Sequence, residues 1–175
     1  YNVNFTENAA VAGGAINNSG SIYINSSAFI NNTATVDGGG ILTTGYIFAN
    51  NSTFYNNTSS VGGVLFIETN GNVTLVNSTL VKNPSTNTSY RRCEIFMRDS
   101  TTTLNLLNSI VLKTDDNTMV RVFTGSPKRV YRNSVTDQVY TTFYATDSLQ
   151  QNENGIYYLK PGERLLQETV LTALA

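Results

Sequence analysis

Apolar residues return along the chain in short runs at nearly constant spacing. Phe5, Phe29, Phe54, Leu80 and Val111 form one column, separated by 24, 25, 26 and 31 residues. Seven residues before the last four stand Ile22, Ile47, Val73 and Leu104, and five before them stand Ile24, Ala49, Leu75 and Leu106. Positions two apart share one face of a strand. A third column, Ile16, Ile41, Leu65 and Phe96, precedes each of these strands by six to eight residues. Between the runs lie Asn, Ser, Thr and Gly, as in Asn17-Asn18-Ser19-Gly20, Asn25-Ser26 and Asn31-Asn32-Thr33. These residues adopt left-handed backbone angles or bond to local backbone, so they read as corners. Three strands and three corners in each period predict an all-β solenoid: a parallel β-helix of about five coils, stacked about 4.8 Å apart.

Stacking places each residue above its own copies. Two motifs alternate in this way. The first is Phe5-Thr6-Glu7-Asn8, Phe29-Ile30-Asn31-Asn32 and Phe54-Tyr55-Asn56-Asn57, with Leu80-Val81-Lys82-Asn83 as a variant. The second is Gly13-Gly14-Ala15-Ile16, Gly39-Gly40-Ile41 and Gly62-Gly63-Val64-Leu65. A corner Asn can bond to its copies above and below, a Phe column makes a dry stripe, and paired glycines permit a sharp bend or a close backbone approach. The repeated residues are therefore read first as structure.

The alternation of these motifs resembles the repeats of chlamydial-type polymorphic outer-membrane proteins and related adhesin-like surface proteins, over about the first half of the chain. The resemblance implies a right-handed parallel β-helix at the cell surface, serving adhesion or acting as a passive stalk. It also implies a cell-surface receptor, a glycan or a sister surface protein as partner, with self-association among the modes.

The period predicts β-helix repeats over residues 1–112, with degenerate coils and a C-terminal cap over 113–175 in the same domain. The fourth coil departs at Pro84, and residues 84–92 read as an enlarged corner. Later, Arg129 and Tyr131 stand where Leu104 and Leu106 stood, and Asn133-Ser134 echoes Asn108-Ser109. Val139, Thr141 and Phe143 alternate as a strand would, and Ile156–Leu159 reads as another. The tail from Gly162, with Leu165, Leu166, Val170, Leu171 and Leu174, reads as a strand or short helix that closes the open end. Tyr1 stands in mid-repeat, which reads as a piece of a longer chain; a signal peptide or membrane anchor would then lie outside it.

Charge is uneven. Before residue 91 the only charged side chains are Glu7, Asp37, Glu68 and Lys82, and the rest of both signs follow. A net charge of −1 gives no electrostatic reason to expect nucleic acid, and no apolar run is long enough to cross a membrane. No His is present, which removes the commonest general base and metal ligand, so neither cofactor nor metal is expected. The single Cys93 takes a place in the diglycine column and reads as a buried, unreactive thiol.

Candidate chemistry falls mainly in the back half. Tyr90, Arg91 and Arg92, with Lys128, Arg129, Tyr131 and Arg132, mix planar cations and aromatic rings as binding surfaces do. Asp99, Asp115, Asp116, Arg91, Arg92, Arg98 and Arg121 are the groups a carbohydrate-binding or polysaccharide-cleaving β-helix would draw on; that is the alternative to a non-catalytic surface protein, and an acid/base pair on adjacent coils would favour it. Among the Asn-x-Ser/Thr sequons, Asn72 and Asn87 read as the first glycan acceptors because they are placed in loops, followed by Asn17 and Asn56.

Overall fold

The computed structural model describes residues 2–88, 92–112, 118–132, 134–136, 149–151 and 157–159. The first coil carries β1 (Asn4–Thr6), β2 (Ala9–Ala12), β3 (Ile16–Asn18) and β4 (Ser21–Asn25). The second repeats it as β5 (Ala28–Ile30), β6 (Thr33–Asp37), β7 (Ile41–Thr43) and β8 (Tyr46–Asn50). The third has β9 (Thr53–Tyr55), β10 (Leu65–Ile67) and β11 (Asn72–Val76), and the fourth β12 (Thr79–Val81), β13 (Cys93–Met97) and β14 (Thr103–Leu107). The fifth has β15 (Ile110–Leu112), β16 (Thr118–Val122) and β17 (Lys128–Arg132), after which β18 (Val135–Thr136) begins another turn. Further on, β19 (Leu149–Gln151) and β20 (Tyr157–Leu159) pair antiparallel with each other.

Three parallel sheets run along the axis. The first is β1-β5-β9-β12-β15-β18, the second β3-β7-β10-β13-β16 and the third β4-β8-β11-β14-β17. The chain is thus an all-β parallel solenoid of about five turns, as the period predicted. A fourth, short ladder joins β2 to β6 and continues as the bridges Thr33 to Thr58, Asp37 to Val61 and Ser59 to Ser85, an element the three-column pattern did not contain.

The register brings the expected columns together. Phe5 pairs with Phe29, Phe29 with Phe54, Phe54 with Leu80 and Leu80 with Val111. The Phe5–Phe29 and Phe29–Phe54 rings stack with centroids 4.6 Å apart, which is the coil spacing itself. Ile47, Val73, Leu104 and Leu106 close the interior from the third sheet with no exposed surface. In the third column the sequence reading was one residue out. Leu65 pairs with Ile95, while Phe96 pairs with Phe66 on the outer side of the second sheet. A slip of one reverses the face, and the outward Phe66 and Phe96 stack at 4.8 Å in a separate cluster with Val61 and Cys93.

At one corner, Asn8, Asn32, Asn57 and Asn83 form a continuous ladder. Each side-chain amide donates to the side-chain oxygen one coil on, at 2.9, 2.8 and 2.8 Å, and each backbone N–H donates to the same oxygen. The amides of Asn32, Asn57 and Asn83 also donate to the Phe5, Phe29 and Phe54 carbonyls, so the ladder ties the Asn corner to the Phe column. The fourth coil offers no further Asn here. The fully buried Glu94 supplies the acceptor instead, taking the backbone N–H of Asn83 at 3.0 Å.

A second ladder uses Ser27, Ser52, Ser78, Ser109 and Ser134. Each N–H donates to the next hydroxyl oxygen, and each hydroxyl donates to the carbonyl two residues earlier. The residue before each of the first four rungs, Ser26, Asn51, Asn77 or Asn108, turns the chain with φ near +50°.

The glycine column also shifts by one. Gly13, Gly38 and Gly62 share φ of +63°, +63° and +66°, so Gly38 and Gly39 are the second coil's pair, and Gly40 occupies the slot of Ala15 and Val64. The second glycine of each pair meets neighbouring backbone: a Cβ on Gly63 would lie 2.0 Å from the Asn83 carbonyl oxygen. In the fourth coil Arg92 and Cys93 hold these two positions. Burial pushes the Cys93 thiol up to about 12. The enlarged corner at Pro84 begins as a continuation of the short ladder, with Thr86 and Asn87 donating to the Ser59 and Ser60 carbonyls. The tail from Gly162, the strand expected at Val139–Phe143, Asn133 and Ile156 lie outside the described residues.

Three outcomes test this packing. Phe54→Ala should destabilise the protein by roughly 3–5 kcal/mol, read from urea unfolding. Asn57→Ala removes the acceptor for two buried donors of Asn32 and should cost on the order of 2–4 kcal/mol, whereas Asn56→Gly, which keeps its left-handed corner, should stay within about 0.5 kcal/mol. Cys93 should resist a thiol reagent at pH 8 until the protein unfolds; rapid labelling of the native state would contradict its burial.

Candidate functional site

The corner between the second and third sheets widens along the axis. In the second coil it is Thr44-Gly45, in the third Glu68–Gly71, in the fourth Arg98–Thr102 and in the fifth Phe123–Pro127. Outward loops at a corner leave the stacked strands in register, so length is added there without disturbing the core. The widening brings together Glu68, Arg98 and Asp99. Arg98 Nε and a terminal guanidinium nitrogen donate to both Glu68 carboxylate oxygens at 2.7 and 2.8 Å, while the guanidinium lies 5.3 Å from the Phe66 ring centre. Asp99 accepts from the Thr69 hydroxyl at 2.7 Å and from the Thr101 N–H and hydroxyl at 2.9 and 2.6 Å. Thr101 in turn accepts the Asn70 N–H at 2.8 Å.

Glu68 and Asp99 are therefore two carboxyls on adjacent coils beside an arginine, the arrangement that would favour carbohydrate cleavage. The Arg98 guanidinium holds the Glu68 carboxyl below its ordinary value, and the Thr101 and Thr69 hydroxyls do the same for Asp99. Glycoside hydrolysis uses one carboxyl kept protonated by its surroundings, and the neighbours of Glu68 and Asp99 act in the opposite direction. The geometry is that of a staple between two enlarged corners. Among the described residues no cluster of His, Cys, Asp or Glu could hold a metal ion.

The other candidates disperse. Strand alternation divides Lys128–Arg132 between faces: Arg129 and Tyr131 pair with the inward Leu104 and Leu106, while Lys128 and Arg132 pair with the outward Thr103 and Leu107. Tyr131 packs against the core, and burial raises its phenol. They do not form one basic-aromatic patch, because neighbours in a strand point apart. Arg121 lies in register with Phe96 and donates to the Thr118 hydroxyl at 3.0 Å. Arg92 is half-buried at the entry to β13. Tyr90, Arg91, Asp115 and Asp116 lie outside the described residues.

Of the sequon residues, Asn72 proves to be the first residue of β11, half-buried between Tyr46 and Thr103, and not in a loop. Asn87 is half-buried and bonded to Ser60. Asn17 and Asn56 have exposed side chains, Asn56 donating to Asn31 at 2.8 Å.

The outer face of the third sheet was not singled out by sequence. Its outward rows begin with Ser21, Tyr23 and Asn25 and run to Lys128, Val130 and Arg132. Tyr23 is 76% exposed, and its ring lies 5.9 Å from Tyr46 and 6.4 Å from Phe48. The signal was present in the alternation Tyr23, Tyr46, Phe48 between buried Ile24, Ile47 and Ala49, but it reads equally as ordinary strand propensity.

With coil, ladders and corners in place, comparison with known families is informative. Residues 26–44 match the Chlamydia polymorphic membrane protein (Chlamydia_PMP) repeat. That stretch is most of the second coil, including Phe29, Asn32 and Gly38 to Ile41. The chain is a β-helix with a repeat of the polymorphic-membrane-protein type. The Pmp-type unit coincides with the part of the solenoid in which the stacked phenylalanines, the buried Asn ladder and the glycine corner all hold together. Neither the curated proteins nor the solved structures give a match.

The Glu68–Arg98 pair carries a pH prediction. A carboxyl held below its ordinary value in the folded state contributes stability that is present above its unfolded pKa and lost as pH falls through the folded one. Glu68→Gln should therefore lower the melting temperature slightly at pH 7, within the ~1 kcal/mol expected of a partly exposed pair, and the two proteins should converge as the solution is acidified below the ordinary carboxylate range. A gap that widens on acidification would contradict the pairing.

Proposed function

We propose that the protein is an extracellular, surface-exposed β-helical repeat protein with a structural or adhesive role and no catalytic one. The observation that carries this reading is the Pmp-type repeat seated in a solenoid whose repeated residues bond to one another. A rod of self-matched coils displays its corners and outer sheet faces to partners, and its length scales with coil number. The partners in view are a cell-surface receptor, a glycan or a sister surface protein, including further copies of this chain. Glycan attachment on a secretory route fits Asn17 and Asn56, whose side chains reach solvent, better than Asn72.

Antibodies raised against the folded chain should label intact, unpermeabilised source cells, and beads coated with the protein should be retained on a receptive cell layer more than beads coated with its unfolded form. Labelling that appears only after permeabilisation would overturn the surface assignment. Equal retention of folded and unfolded coats would overturn adhesion by the folded rod.

A further inference from the structure

We infer that the outer face of the third sheet is a binding platform for an acidic oligosaccharide laid along the solenoid axis. This deepens the surface-adhesive reading and rests on it. A β-helix turns its sheet faces outward as flat rows, and three chemistries follow one another along this one. At the first two coils, Tyr23, Tyr46 and Phe48 form an aromatic group with centroid distances of 5.9 and 6.4 Å, and Tyr23 is 76% exposed. One exposed ring backed by the half-buried Tyr46 and Phe48 makes a contiguous aromatic patch on a neutral surface, which marks a contact site more often than scattered single residues do. Their flat faces suit the C–H faces of sugar rings, which are weakly positive at the edge presented to a ring.

At the third and fourth coils the outward residues include Asn72, Thr74, Thr103 and Asn105, where the Asn105 amide donates to the Thr74 hydroxyl at 3.0 Å. Paired amides and hydroxyls offer both donors and acceptors to sugar hydroxyls. At the fifth coil Lys128 and Arg132 are both exposed on the same face. None of the described outward residues of this sheet is acidic. The carboxylates at the corner leading into it, Glu68 and Asp99, are engaged by Arg98 and by threonines. The face is thus neutral with a positive end, and its complement is a polyhydroxylated chain that carries carboxylate or sulfate groups. That complementarity selects a glycan over a second copy of this chain, whose corresponding face has no acidic residue among its described outward positions to meet Lys128 and Arg132.

Tyr23 and Lys128 lie four coil spacings apart, roughly 19 Å at the usual strand separation. A ligand that uses both ends must span that length. The test is equilibrium binding of the full chain to fluorescent oligogalacturonate of sufficient length, with the monosaccharide acid, a neutral glucan of equal length and a sulfated chondroitin oligomer as the other arms. Binding should require length, should favour either acidic oligomer over the glucan by about tenfold at low salt, and should weaken as salt screens the positive end. Tyr23→Ala with Phe48→Ala, and separately Lys128→Ala with Arg132→Ala, should each reduce affinity about tenfold, which is about 1.4 kcal/mol. Unchanged melting temperatures would show that both double variants remain folded.

Equal affinity for acidic and neutral oligomers, or wild-type affinity in both variants, would overturn the inference. So would dimers in solution that Tyr23→Ala dissociates in the absence of glycan. Intact-cell labelling that succeeds while no oligosaccharide binds would sink this platform and leave the surface reading standing.

Discussion

The buried Asn ladder is the constraint on which the rest depends. A corner that turns inward brings backbone N–H groups into an interior from which water is excluded, and each must find an acceptor or cost about 1–3 kcal/mol. Asn32 and Asn57 solve this with one side chain each: the oxygen takes two donors from the coil before, and the amide reaches the Asn oxygen of the coil after and the Phe carbonyl of the coil before. Because the solution needs the same residue at the same place in every coil, it enforces the period. The Phe column follows from it, since rings in register at 4.6 Å have no room to deviate.

The ladder's end shows the same logic. Where the fourth coil lengthens, the next Asn is missing and the carboxyl of Glu94, from the slot that Val64 holds one coil before, turns inward to accept the Asn83 N–H. A buried carboxyl is expensive unless it is hydrogen-bonded, and its placement at this site indicates how costly an unfilled rung would be. The Ser ladder, by contrast, runs past this point to Ser134 and carries the solenoid into the coil where Arg129 and Tyr131 have replaced leucines. Corner chemistry persists here after the apolar stripe has degenerated.

Much of this was legible in the sequence, for a physical reason: identical neighbours along the axis turn tertiary contacts into a sequence period. Phe29, Phe54, Asn32 and Asn57 could be placed from spacing alone. The reading failed where neighbouring residues competed for one slot. Ile95 and Phe96 are both apolar, and only the pairing with Leu65 decides which faces in; Gly38, Gly39 and Gly40 are identical, and only φ distinguishes the bend from the close approach. Sites were less legible than fold. Asn72 looked like a loop residue, yet it opens a strand, where it pairs with Tyr46 and Thr103. Glu68 and Thr69 meet Arg98 and Asp99 only because two corners widen together, and Lys128–Arg132 looked like a patch until alternation divided it.

The central claim is that side-chain amides inside the rod are structural bonds, as permanent as the strands. Hydrogen exchange of side-chain amide protons, followed by NMR after transfer to heavy water, measures this directly. Those of Asn32, Asn57 and Asn83 should persist as long as the backbone amides of the stacked phenylalanines, while those of the exposed Asn31 and Asn56 vanish at once. If both sets of side-chain protons disappear together, the buried ladder does not hold the coils in register.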